Sequence, residues 1–131
     1  MIWKTKITEI AEIKYPILMG SFAGIGRAEF AAAVSNAGGL GVIAALNFRN
    51  PRKFEEELEK MNELTNKPYG INFTLAPPEL LEKNPKAPTQ EHYFEYVDVA
   101  TEFGVKILSS SAYHPERLGD EIHNEGGYWL H

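Results

Sequence analysis

Apolar positions along the chain fall into two alternating kinds of pattern. Tyr15–Met19, Leu40–Leu46, Tyr69–Leu75 and Val105–Leu108 are short, nearly continuous apolar runs. Strands buried on both faces look like this, and parallel sheets produce them. Between these runs the period becomes helical. Arg27–Ala37 is built of strong helix formers, with Ala28, Ala31, Ala32 and Val34 dense on one side and Asn36, Gly38 and Gly39 as a stop. Pro51 opens a second helix behind Asn50 as its cap, and Phe54, Leu58, Met61 and Leu64 recur at helical spacing until Asn66–Lys67–Pro68. Gln90–Phe103 returns to that period through Phe94, Val97 and Ala100 or Thr101. Pro115–Asn124 is a fourth helix, ended by Gly126–Gly127, and Tyr128–His131 begins a fifth strand. Ala76–Thr89 holds four prolines and several charges and reads as a long loop.

The predicted order is β-α-β-α-β-α-β-α-β, which specifies a parallel sheet with crossover helices. Two architectures fit. An open doubly wound sheet of five strands would be complete at 131 residues. A (β/α)₈ barrel needs about 250 residues, so this chain would hold about the first half of a TIM barrel: four βα units plus the start of a fifth strand. Periodicity alone does not choose between them. No composition shift marks a domain boundary.

Bulk properties narrow the chemistry. The formal net charge of −5 provides no basic footprint for nucleic acid. The absence of cysteine excludes disulfides, thiolate metal sites and a cysteine nucleophile. No apolar run approaches the roughly 20 residues that span a bilayer, and the opening MIWKTKITEI lacks the apolar core of a signal peptide. The expectation is a cytoplasmic protein with neither a nucleic-acid nor a membrane partner.

In both architectures the ligand sits at the carboxyl ends of the strands. That rule nominates Gly20–Ser21–Phe22–Ala23 after the first strand, Asn72 and Thr74 in the third, and Ser109–Ser110–Ser111 at the end of the fourth. These are uncharged hydrogen-bonding groups around one mouth. They suit a neutral, amide-rich heterocycle such as a flavin ring better than a metal or a polyphosphate. An Asn in an apolar strand must find partners for its buried amide. Each feature also has a structural reading: a tight turn for the glycine, backbone bonding for Asn72, a solvated loop for the serines. Their convergence at one end of successive strands favours a ligand.

Other motifs add little. Gly24–Ile25–Gly26 does not complete a dinucleotide fingerprint because position 29 is Glu29, and no P-loop is present. Gly38, Gly39 and Gly41 read as a helix cap and strand entry. His92, His114, His123 and His131 show no metal-ligand spacing and read as surface residues. Glu91, Glu95 and Asp98 read as a solvated helix face, and Tyr93, Phe94 and Tyr96 as packing for that helix or for a partner subunit.

The block ITEIAEIKYPILMGSFAGIGRAEFAAAVSNAGGLGVIAAL and the later ELTNKPYGINFTL resemble the nitronate monooxygenase family, formerly called 2-nitropropane dioxygenases. FMN-dependent enoyl-acyl carrier protein reductases are similar in the same segments. The resemblance covers essentially the whole chain. It implies an FMN-dependent (β/α)₈ barrel that oxidises alkyl nitronates with molecular oxygen, of which residues 1–131 form the N-terminal half. Matched position by position, Met19, Gly20, Ser21 and Phe22 fall on the turn against the flavin, where members often carry Gln or Pro-Met features. Asn72 falls on the strand-three Asn that contacts the flavin, and Thr74 on a polar flavin neighbour. Ser109, Ser110 and Ser111 match the end of strand four, near the ring.

In the family a Lys on the fifth strand, the His that serves as base and the phosphate-binding loops of strands seven and eight lie at or beyond the point matched by residue 131. His131 sits in the wrong strand for the base. The resemblance therefore implies no catalytic residue and no metal ligand in this chain. It implies a nitronate-type substrate and oxygen. A half-barrel would leave two sheet edges unpaired, so the expected partner is a complementing C-terminal half or, in a homo-oligomer, a second copy whose strands close the ring. A non-catalytic half-barrel acting by association is the alternative.

Overall fold

The computed structural model describes residues 3–131. Its first element is a helix that the apolar pattern does not foretell, α1 (Lys6–Ala11). The Thr5 hydroxyl accepts from the Thr8 N–H at 3.2 Å, and the Thr8 hydroxyl accepts from the Thr5 N–H at 2.9 Å. This is a reciprocal capping box with Thr in the place usually held by Glu or Gln.

The expected strand at Tyr15–Met19 is reduced to a single parallel bridge between Leu18 and Leu40. The Met19 N–H donates to the Leu40 carbonyl and the Leu40 N–H to the Ile17 carbonyl, both at 2.9 Å. Ile17 and Leu18 are exposed. The chain then makes α2 (Ala28–Asn36), β1 (Gly41–Ala44), a 3₁₀ turn (Ala45–Asn47), α3 (Pro51–Leu64), β2 (Tyr69–Thr74), α4 (Pro78–Lys83), a 3₁₀ turn (Glu91–Tyr93), α5 (Phe94–Glu102), β3 (Ile107–Ser111), α6 (Glu116–Asn124) and β4 (Tyr128–Leu130).

Asn50 caps α3 as its position predicts, accepting from the Lys53 N–H at 2.9 Å. Beyond shifts of a residue or a few at element ends, three further segments depart from the sequence reading. The run Leu40–Leu46 leaves the sheet at Ala44 and coils into the 3₁₀ turn. The strand predicted at Val105–Leu108 begins later and runs through all three serines, because the Val105 N–H is still held by the Ala100 carbonyl at the end of α5. The segment read as a loop over Ala76–Thr89 contains α4, a short helix that buries none of its residues.

The sheet is wholly parallel, with strand order β1-β2-β3-β4. Spatial order equals chain order, with no reversal. A doubly wound sheet needs a reversal to place helices on both faces. Right-handed crossovers without one put every helix on the same face, and here α2 packs on α3, α3 on α5, and α5 on α6. The fold is an α/β arrangement of partial TIM-barrel type.

Between sheet and helices lies the core. Ile43, Ile71, Phe73 and Leu108 meet Phe54, Leu58, Met61, Tyr96, Val97, Leu118 and Ile122, all fully buried. The contact is closest at Gly41, where a Cβ would lie 1.9 Å from the Ala31 carbonyl oxygen of α2. Only a residue without a side chain lets helix and strand approach so far.

Candidate functional site

Side chains alternate along β2 and β3, so the two faces of the sheet carry different residues. Ile71, Phe73 and Leu108 face the helices. Asn72, Thr74, Ser109 and Ser111 share the other, concave face, because register pairs Asn72 with Ser109 and Thr74 with Ser111.

These four residues form one hydrogen-bonded group. The Asn72 amide Nδ2 donates to Ser109 Oγ at 3.0 Å, and Ser109 Oγ donates to the Ile71 carbonyl at 3.2 Å. Thr74 Oγ1 and Ser111 Oγ both donate to Asn72 Oδ1, at 3.1 and 3.2 Å. The two hydroxyls lie 3.3 Å apart. Asn72 is buried, and the network is the partner set that its burial demands. Below the network, the concave face is apolar. A pocket of ≈ 180 Å³ is lined there by Leu18, Met19, Leu40, Val42, Gly70, Ile107, Ser109 and Leu130, among others.

Of the sequence-predicted residues, Asn72, Thr74, Ser109 and Ser111 are brought together. Met19 lies on the same face, buried, with its sulfur 3.5 Å from the Val42 N–H. Ser110 is not with them. It is buried on the opposite face, where its hydroxyl accepts from Trp129 Nε1 at 2.9 Å and meets His131 Nδ1 at 2.8 Å. Gly20, Ser21 and Phe22 are exposed on the loop above the Leu18 bridge, and the Phe22 ring leans on Phe30 at 6.2 Å.

Asn47 is a residue the sequence reading missed. From the 3₁₀ turn after β1 it accepts from the Gly24 N–H at 2.5 Å and donates to the carbonyls of Gly26 and Phe22 at 3.1 and 3.4 Å. It thus pins the loop carrying Gly20–Phe22 to the end of β1. Nothing local marks it, since its partners lie 21 to 25 residues away.

The strand ends are also held from behind. Tyr93 Oη donates to the Thr74 carbonyl, and Tyr96 Oη to the Phe48 carbonyl, both at 3.0 Å. Burial raises the pKa of each phenol above its ordinary value, so both stay donors across the neutral range. The two rings, read from sequence as packing, are fully buried in the core of this chain.

Two other features lie away from the strand ends. A larger cavity, ≈ 520 Å³, opens at the amino ends of the strands beside Lys67, Tyr69 and Phe103. Its polar residues pair off locally, Tyr69 with Asn62 and Lys106 with Glu12. Asp98, Glu121 and Glu125 bring carboxylate oxygens within 4.8 Å of one another on the outer surface. No helix among the described residues is long and apolar enough to cross a membrane.

A parallel sheet in sequential order, with helices on one face and a polar cluster at its carboxyl edge on the other, defines a βα-barrel-type protein. Comparison with known proteins supplies the family. The nitronate monooxygenase family model matches residues 4–119, and the chain belongs to that family. A probable nitronate monooxygenase of Staphylococcus haemolyticus is 42% identical over 73 residues, which are 56% of this chain and 20% of that protein. The corresponding protein of Staphylococcus saprophyticus subsp. saprophyticus is 44% identical over 69 residues, 53% of this chain and 19% of that one.

Among solved structures, FabK from Thermotoga maritima superposes with a TM-score of 0.76 and 30% identity, covering 97% of this chain and 36% of FabK. A nitroalkane oxidase from Streptomyces ansochromogenes superposes with a TM-score of 0.73 at 21% identity, a likeness of fold, covering 95% of this chain and 41% of that one. The matches thus span about a fifth of the curated relatives and well under half of the solved chains.

Proposed function

We propose that residues 1–131 are the N-terminal half of an FMN-binding (β/α)₈ barrel and furnish the floor on which the flavin ring lies. The observation that carries this is the Asn72–Thr74–Ser109–Ser111 group. It is uncharged, rich in donors and acceptors, and placed at the carboxyl ends of two adjacent strands above an apolar face. This donor set fits the isoalloxazine edge. It carries no charge to pair with a phosphate or a cation.

When bound, FMN supplies the two-electron redox chemistry of the site. This chain's residues would hold the ring: Asn72 through its amide, Met19 and Gly70 from the apolar face, and Gly20–Phe22 from the loop that Asn47 pins. The activity is that of a nitronate monooxygenase, with an alkyl nitronate and molecular oxygen as substrates, in a cytoplasmic enzyme. The family membership supports this reading, as does the resemblance of the strand-end residues. The catalytic base and the phosphate clamp belong to the other half of the barrel, so the chain alone has negligible turnover.

A second reading, an FMN-dependent enoyl reductase, is favoured by the likeness to FabK over 97% of the chain. The two share the flavin floor and differ in the substrate. A third reading is a half-barrel that associates with a second copy, since among the described residues β4 and Leu18 pair with no further strand.

The test is a visible absorption spectrum of the purified chain after gel filtration with FMN. Flavin that co-elutes with a spectrum shifted from free FMN is the expected result. Its complete absence would refute an independent site in this chain. Nitronate oxidation by the purified 131-residue chain would refute the assignment of catalysis to the other half.

A further inference from the structure

The Asn72 network has a direction, and one residue sets it. A backbone carbonyl only accepts. The Ile71 carbonyl therefore takes the single proton of the Ser109 hydroxyl, at 3.2 Å. Ser109 Oγ, its proton committed, must accept from its other neighbour, and that neighbour is Asn72 at 3.0 Å. The group of Asn72 that faces Ser109 must then be Nδ2 and not Oδ1. Oδ1 falls on the other side, where the Thr74 and Ser111 hydroxyls donate to both of its lone pairs at 3.1 and 3.2 Å.

The consequence is an inventory for a ligand. Asn72 Oδ1 is saturated by two hydroxyls, while Nδ2 carries two hydrogens of which one is used. Among the described residues the second has no acceptor. Were the amide turned over, the face would offer a spare acceptor instead of a spare donor.

We infer that Ser109 is a positioning residue: anchored to the Ile71 carbonyl, it fixes the polarity of the Asn72 amide, so the concave face meets its ligand with a hydrogen-bond donor. This rests on the proposed flavin site for the ligand's identity but not for the polarity itself. On that reading the donor meets an acceptor atom on the edge of the ring, a ring nitrogen or carbonyl oxygen.

The test has two parts. In the ¹⁵N-labelled chain without flavin, the two Nδ2 protons of Asn72 should differ, one shifted downfield and exchanging slowly, the other not. Ser109→Ala should speed exchange of the protected proton by about tenfold or more, in line with the loss of one buried hydrogen bond. Ser109→Thr, which keeps the hydroxyl, should restore it. An unchanged amide pair in Ser109→Ala would overturn the assignment, with or without flavin.

FMN titration is the second part. The free Asn72 proton should shift on binding, and Asn72→Asp, which replaces the donor by an acceptor, should weaken FMN by about tenfold or more. FMN that binds without moving this proton would overturn the donor role and leave the flavin site standing. Failure of the wild-type chain to bind FMN would count against the site alone, since the amide asymmetry is read without flavin.

Discussion

Asn72 and Phe73 are adjacent in β2 and face opposite sides of one sheet. Phe73 is fully buried against Tyr93, ring centroids 5.0 Å apart, in a core closed by helices of this same chain. Asn72 looks the other way, onto a face that no helix covers among the described residues. On the helix side each polar tip is spent on a fixed partner: Tyr93 on Thr74, Tyr96 on Phe48, Ser110 with Trp129 and His131. On the concave side the polar atoms are spent on one another and leave a donor over. The first face holds the fold, and the second carries the proposed flavin floor.

Substitution should separate the two faces. The largest effect falls on the helix side, where Phe73→Ala should cost about 3–5 kcal/mol in urea unfolding. If that variant does not fold, Phe73→Leu gives a smaller loss that can be measured. A near-neutral outcome for both would mean that the core is not centred on this face. Tyr93→Phe comes next, at about 1–3 kcal/mol, because it leaves the Thr74 carbonyl without its buried donor. It crosses the comparison, since the same carbonyl belongs to a residue of the concave network.

Ser111→Ala should cost about 1 kcal/mol or less, since Thr74 still donates to Asn72 Oδ1. Its effect should appear in FMN affinity more than in stability. A stability loss equal to that of Phe73→Ala would erase the distinction between the faces.

Alkali provides a milder probe of the buried phenols. Burial pushes Tyr69 up to about 12 from an ordinary 10.0, and raises Tyr93 and Tyr96 as well. A folded-state pKa above the unfolded one means the neutral phenol is favoured by folding. The stability is then fully present below about pH 10 and is lost as pH rises toward 12. Melting temperature should hold to about pH 10 and fall above it. Tyrosinate absorbance should appear at lower pH in urea than in the native chain. Coincident titration curves would contradict this burial.

Legibility followed range. The helix at Pro51 was readable because Asn50, Pro51 and the apolar spacing of Phe54, Leu58 and Met61 are local signals, and the structure returns α3 with those residues buried. The strand at Tyr69 was readable from its apolar run. The apolar run Tyr15–Met19 predicts a full strand, yet only Leu18 bridges to Leu40, because apolar content does not specify how many ladder bonds a segment makes. The short helix α4 went unseen inside a proline-rich stretch, since Pro77 and Pro78 also suit a helix start. The sequence groups the three serines together, yet alternation along β3 sends Ser110 to the back of the sheet.

Local signals in the chain specify the alternation of strands and helices, the uncharged character of the strand ends and the family pattern they resemble. These are written in residues close together along the chain. The strand order, the shared face of α2, α3, α5 and α6, and the direction of the Asn72 network emerge only on folding. Each of these rests on pairs far apart in sequence, as Asn72 and Ser109 are at 37 residues. A hydroxyl can donate or accept, and only its neighbours in space settle which.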